Sequence, residues 1–214
     1  MTPFVLVLSA PSGAGKTTIA QALLAAREDL GFSVSATTRA PRPGEREGVE
    51  YRFLTPQEFQ RRVDAGEFLE WAEYGDHRYG TLRTEVDRVQ GEGRHVLLDI
   101  EVEGARQIRA RCQNVVSVFI IPPSARALVE RLGGRNTERG PDLARRLRRS
   151  VEELEEATTY DYVVTNTHKT QAVAEVAAII EAEARRPGRQ PELEPTLRSL
   201  IRDLAELAAV TERT

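Results

Sequence analysis

An α/β fold, with a parallel sheet flanked by helices, is predicted by three observations. Short continuous apolar runs rich in branched residues recur along the chain, as strands buried on both faces require. Stretches with helical apolar spacing separate those runs, and such alternation builds parallel sheets. The first run passes straight through a glycine-rich turn into a helical pattern.

The first strand is Phe4–Ala10, "FVLVLSA". From Lys16 the period changes, and Ile19, Leu23, Ala26 and Leu30 fall on one helical stripe. Two more buried strands follow at His95–Ile100, "HVLLDI", and Val115–Ile121, "VVSVFII", and a fourth at Tyr160–Thr165, "YDYVVT". Helical stripes separate the later strands at Leu143, Leu147, Val151 and Leu154, and then occur at Val173, Val176, Ala177 and Ile180. Between the first helix and His95 lies a long insertion without that alternation. Thr55-Pro56-Gln57-Glu58 there supplies an N-cap, a first-turn proline and a capping-box glutamate. Phe59 and Val63 give that helix its apolar face, Gly66 can end it, and a small core is expected around Phe53, Phe59, Phe68 and Trp71. A second insertion near Gly133–Arg149 is rich in arginine and poor in apolar residues, the pattern of a mobile flap.

Composition narrows the class. The 214 residues suffice for one domain with insertions, and the charges nearly cancel at a net −3. That balance exerts no general pull toward nucleic acid or an anionic membrane, so any basic patch acts locally. A single cysteine, Cys112, forms no internal disulfide and suits a reducing cytosol. No signal pattern precedes the first strand and no run reaches membrane-spanning length, so a soluble cytoplasmic protein is expected. The three histidines, His77, His95 and His168, lack metal-ligand spacing.

The stretch "APSGAGKTT", Ala10–Thr18, matches a phosphate-binding loop between a strand and a helix. Glycines there let backbone N–H groups turn toward a phosphate, and the helix N-terminus adds partial positive charge. Ser12, Gly13, Ala14, Gly15, Lys16, Thr17 and Thr18 are therefore expected to hold ATP, with Lys16 on the β/γ-phosphates and Thr17 on Mg²⁺. The usual first glycine of the pattern is Ala10 here. Asp99, at the end of its strand, falls at the same sheet edge and can hold the hydration shell of the Mg²⁺.

The run "SATTRAPRPGEREGVEY", Ser35–Tyr51, is stiff and cationic, with three arginines and two prolines. With "EFLEWAEYGDHRYGT", Glu67–Thr81, and "LLDIEVEGARQIR", Leu97–Arg109, it resembles guanylate kinase, in a match running from about Val5 to about Thr170. The resemblance implies a P-loop kinase core, a GMP-binding insertion and an arginine-rich lid, which together pass the γ-phosphoryl group of ATP to GMP or dGMP. It divides the chain into core at 1–34, 95–126 and 157–187, a GMP-binding subdomain at 35–94 and a lid at 127–156; beyond the match, the leucine spacing predicts a C-terminal amphipathic helix at 188–214. Arg39 and Arg42 are forked donors suited to the phosphate of GMP, with Tyr51 adding a hydroxyl and, by resemblance, Tyr79 a further contact. Glu70 can accept both the N1–H and N2–H₂ of guanine, an edge adenine lacks. By resemblance Ser35 and Thr81 donate hydroxyls to the base, and Glu101 stands where the family usually has aspartate, retaining the charge on one more methylene.

The flap carries Arg131, Arg135, Arg139, Arg145, Arg146, Arg148 and Arg149, of which the resemblance marks Arg135 and Arg146 as cations closing on the transferring phosphates. It also sets Asn166 beside the adenine of ATP. A scaffold domain that has lost catalysis and binds phosphorylated partners would have no reason to keep Lys16, Thr17, Asp99 and the lid arginines. Glu70 and Ser35 speak against a kinase with a non-guanine acceptor, and the charge balance speaks against an RNA-binding flap. The tail, "LEPTLRSLIRDLAELAAVTERT", carries Leu193, Leu197, Leu200, Leu204 and Leu207 at alternating four- and three-residue spacings, with Ile201 beside them. Such a helix can dock on its own domain or form a homo-oligomer with a second copy.

Overall fold

A computed structural model describes residues 1–133 and 141–211. Its centre is an all-parallel five-stranded sheet built from β1 (Val5–Ser9), β2 (Leu30–Phe32), β7 (His95–Asp99), β8 (Val115–Ile121) and β9 (Tyr162–Thr165), in the order β2-β7-β1-β8-β9. Helices α1 (Lys16–Ala26) and α7 (Lys169–Ala184) cover one face, where Ile19, Leu23, Val176 and Ile180 pack against Leu6, Leu8 and Val118. The other face carries α3 (Arg83–Gly91) and α4 (Val102–Arg111), whose Val86, Val89 and Ile108 pack against Val5, Val7 and Leu98. Period-two alternation along β1 thus feeds two separate cores, which is why its whole run is apolar.

The helical stripe expected to run through Leu30 ends earlier. Helix α1 stops at Ala26 because Arg27 takes an extended conformation and its guanidinium ties to Asp29 and Glu181, at 2.6 and 2.7 Å. Leu30 then pairs with His95 as the first residue of β2, an edge strand. β9 likewise begins at Tyr162 rather than Tyr160, because Asp161 turns its carboxylate onto Ser117 instead of joining the ladder.

A second, four-stranded sheet holds the insertion, in the order β4-β3-β6-β5: β3 (Ala36–Thr37), β4 (Arg52–Phe53), β5 (Phe68–Tyr74) and β6 (His77–Leu82). Helix α2 (Pro56–Asp64) lies against it. The Thr55 side chain caps α2 by accepting from the Glu58 N–H at 3.1 Å, while Glu58 spends its carboxylate on Arg61 and Arg62 instead of reaching back. Gly66, at a φ of 67°, ends the helix as its spacing predicts. The small core is Ala36, Phe59, Phe68 and Leu82 with Leu54, Val63 and Trp71 against it. Phe53 is corrected: it lies near Tyr51 and outside this cluster, and Leu54 takes the inward place.

Helix α5 (Ala125–Gly133) follows β8, and α6 (Pro141–Glu155) enters on the far side of residues 134–140. The arginine-rich stretch from 141 onward is therefore a helix. Helix α8 (Leu193–Thr211) forms as its spacing predicts, and Leu197, Leu200, Ile201, Leu204 and Leu207 on it are exposed. Among the described residues no helix is long and apolar enough to cross a membrane.

Candidate active site

β1 delivers the chain into the loop 10–15 at the carboxyl edge of the parallel sheet, where open α/β sheets bind their ligands. Gly13 and Gly15 have φ values of 87° and 98°, which other residues adopt at a cost. Space is also missing: a Cβ at Gly13 would stand 2.9 Å from Leu132, and one at Gly15 would stand 2.4 Å from the Asn166 amide. The loop is thus clamped from outside. Asn166 donates to the Ala14 carbonyl at 2.7 Å, and Arg131 bonds both that carbonyl and the Asn166 carbonyl, at 3.2 and 3.0 Å. The expectation for Asn166 concerned adenine; in this structure its amide nitrogen is engaged on the phosphate loop itself.

Lys16 and Thr17 open α1. The Lys16 ammonium sits 2.7 Å from the Ile100 carbonyl, 3.1 Å from Asp99 and 3.3 Å from Glu101. Burial works against that charge, but Glu101 and Asp99 outweigh it, so the pKa lies above the ordinary lysine value. Asp99 Oδ1 is buried and receives no well-directed hydrogen bond despite the nearby ammonium. With the Thr17 hydroxyl lining the same cavity, this is a pair of hard oxygen donors that fits Mg²⁺. Among the described residues no group of three or more His, Cys, Asp or Glu could hold a metal ion, so a cation here would complete its shell with water and phosphate oxygens.

One cavity of about 360 Å³ gathers most of the residues singled out in the sequence: Ser12, Thr17, Ser35, Arg39, Arg42, Tyr51, Glu70, Tyr79, Asp99, Glu101 and Arg146. It runs between the phosphate loop and the second sheet. Arg39 is held by Glu45 at 2.8 Å with its guanidinium 5.3 Å from the Tyr51 ring centre, and Tyr51 meets Tyr79 edge-on at 6.0 Å. Its Glu45 partner raises the Arg39 pKa, while burial raises that of Tyr51. Glu70 is 3 % exposed and accepts a hydrogen bond from the Thr81 hydroxyl at 2.7 Å. Burial pushes its carboxyl up to about 7, with Thr81 opposing. Thr18 is exposed on α1, and Arg135 lies outside the described residues.

Glu45, Tyr74 and Glu153 escaped the sequence as members of the site. Glu45 accepts from both the Arg39 guanidinium and the Arg42 N–H, each at 2.8 Å, and its place after the Pro43-Gly44 turn was the available signal. Arg146 on α6 donates to the Ser12 hydroxyl at 2.8 Å. One turn on, Arg149 lies 3.7 Å from the Tyr74 ring centre and bonds Glu153, whose other oxygen accepts the Ser12 N–H at 3.4 Å. Burial, then repulsion from Glu101, raises the Glu153 pKa. These contacts join α6, the phosphate loop and β5, three parts distant in sequence.

A phosphate loop at the edge of a parallel sheet, opening on a cavity with four arginines and a buried carboxylate, defines a P-loop phosphotransferase of the nucleoside monophosphate kinase type. The family model described as Guanylate kinase matches residues 2–183. A guanylate kinase of Symbiobacterium thermophilum is 47 % identical over 208 residues, covering 97 % of this chain and 96 % of its own. One of Chelativorans sp. is 44 % identical over 203 residues, 94 % of this chain and 93 % of its own. The crystal structure of guanylate kinase from Anaplasma phagocytophilum superposes with a TM-score of 0.76 at 34 % identity, covering 92 % of this chain and 95 % of that one. The chain belongs to the guanylate kinase family, whose reaction is the ATP-dependent phosphorylation of GMP.

Proposed function

We propose that the cavity between the two sheets is the GMP site, with Glu70 reading the base and Arg39, Arg42, Tyr51 and Tyr79 gripping the phosphate. The single observation carrying this reading is the burial of Glu70 in the same cavity as that cationic and hydroxyl cluster. A buried carboxylate is costly unless a ligand offers matched donors, and the guanine N1–H and N2–H₂ edge does so. Ser35 and Thr81 add hydroxyls at the base, and Glu101 contacts it. dGMP, with the same base and phosphate, is accepted as well.

ATP sits on the loop 12–18, its β- and γ-phosphates drawing the Lys16 ammonium away from Asp99. Thr17 and, through water, Asp99 would hold Mg²⁺, which would supply charge neutralisation at the phosphates. Arg146 and Arg135 stabilise charge on the transferring phosphoryl group, a contribution on the order of 10³-fold. No side chain needs to act as base, because the attacking GMP oxygen is already ionised. The unit at 35–94 carries the acceptor and that at 127–156 the lid, against a core of 1–34, 95–126 and 157–187. Single-cysteine chemistry and nucleotide substrates suit the cytoplasm, and with a net charge of −3 no nucleic acid partner is needed. ADP release measured with GMP, dGMP, AMP, UMP and CMP as rival acceptors tests the assignment.

Helix α8 (Leu193–Thr211), beyond the family match, pairs with that of a second copy. Leu197, Leu200, Ile201, Leu204 and Leu207 are between 45 % and 65 % exposed. Pairing two such faces would have to bury about 1,000 Å² in total, the lower bound for a specific interface.

A further inference from the structure

Gly104 lies in the first turn of α4, is buried, and has no left-handed φ that would call for glycine. Glycine inside a helix costs up to about 1 kcal/mol relative to alanine, so its presence there needs a reason other than the helix. The surroundings supply one. A Cβ at Gly104 would stand 2.5 Å from Glu70 Oε2, closer than non-bonded atoms approach, and a tight 3.0 Å from Glu70 Cδ. The other carboxylate oxygen, Oε1, is fixed from the opposite side by the Thr81 hydroxyl at 2.7 Å. The Glu70 carboxylate is therefore confined in a slot, with a strand hydroxyl on one wall and a helix surface stripped of its side chain on the other.

We infer that Gly104 is a positioning residue for acceptor specificity: its missing side chain is the space that lets Glu70 face the base of the acceptor. The inference rests on the reading of Glu70 as the guanine-recognising group. A methyl group at 104 has two ways to fit. Backbone could move, which would cost stability, or the Glu70 carboxylate could swing away, which would cost only recognition. Glu70 is the flexible end of a side chain and α4 is a packed helix, so the carboxylate moves.

The test is the pair Gly104→Ala and Gly104→Ala with Glu70→Asp, each compared with the unaltered chain and with Glu70→Asp alone. Gly104→Ala should raise KM for GMP about 10–100-fold, as loss of hydrogen bonds to a charged group does, with KM for ATP unchanged and the melting temperature unchanged or higher. Aspartate at 70 is shorter by one methylene and clears the new methyl group. In the Glu70→Asp background the further effect of the alanine should therefore shrink to within about twofold, a strong departure from additivity. A Gly104→Ala chain that keeps its KM for GMP would overturn the inference, as would equal losses toward GMP and ATP, additive effects in the double variant, or failure of both alanine variants to fold. Glu70→Gln separates the role of Glu70 from that of Gly104. If it leaves KM for GMP untouched, the reading of Glu70 itself fails; if it weakens GMP while Gly104→Ala does not, only the role of Gly104 fails.

Discussion

Replacing Glu70 by glutamine should change both nucleotide recognition and the pH at which it operates. The side chain is 3 % exposed and its carboxyl is pushed up to about 7 by burial. In the free enzyme about nine-tenths of it is then ionised at pH 8 and about one-tenth at pH 6. Only the carboxylate can accept both guanine donors, so kcat/KM for GMP should fall about tenfold between those values, a limb that reports the free enzyme. The GMP phosphate itself titrates near pH ~6. Glutamine at 70 removes the limb near 7 and leaves that of the phosphate. It should also raise KM for GMP about 10–100-fold at pH 8, because one acceptor and the charge are lost while the ATP site is untouched. Stability moves the other way. A carboxyl whose folded pKa exceeds its unfolded value stabilises below the unfolded value of 4.5, and that contribution is lost as pH rises through about 7. At pH 8 the ionised, buried Glu70 costs about 3 kcal/mol, so the ligand-free glutamine variant should melt at a higher temperature. Initial rates across pH 5.5–8.5 with calorimetric melting would measure both. A wild-type profile governed by the phosphate alone, or a variant that loses GMP and ATP affinity equally, would refute the reasoning.

Three further outcomes are expected. Lys16→Met should abolish GMP-dependent ATP consumption, and turnover retained in a coupled assay would remove Lys16 from the phosphate site. Arg146→Ala should lower kcat by on the order of 10²–10³-fold with KM for GMP nearly unchanged, since cations on the transferring group act mainly in the transition state; a defect confined to GMP affinity would take it out of the catalytic set. Truncation after Arg189 should reduce the sedimenting mass to that of a single chain, and an unchanged mass would reject pairing through α8.

The central sheet was legible because β1, β7 and β8 are buried on both faces and leave continuous apolar runs. The edge strand β2 was not: it has 3 residues, and Leu30 happens to continue the helical spacing of Ile19 and Leu23. β3 and β4, with 2 residues each, are too short to show any period. At the site, the phosphate loop was legible because its residues are consecutive and each answers to a local backbone demand. Arg39, Arg42, Tyr51 and Glu70 became legible only through the family resemblance, since their convergence depends on how two sheets face each other. What stayed hidden was support across long separations. Glu153 reaches the Ser12 N–H, Asn166 clamps Ala14, and Gly104 clears space for Glu70, each a tertiary contact between residues with no spacing to announce it.

The most direct test of a cavity built to read guanine is the acceptor comparison at saturating ATP. ADP release should be rapid with GMP and dGMP, and kcat/KM lower by about 10⁴-fold with AMP, whose edge leaves the Glu70 carboxylate unpaired. UMP and CMP should be equally poor. Comparable turnover of AMP and GMP would contradict a guanine-reading cavity.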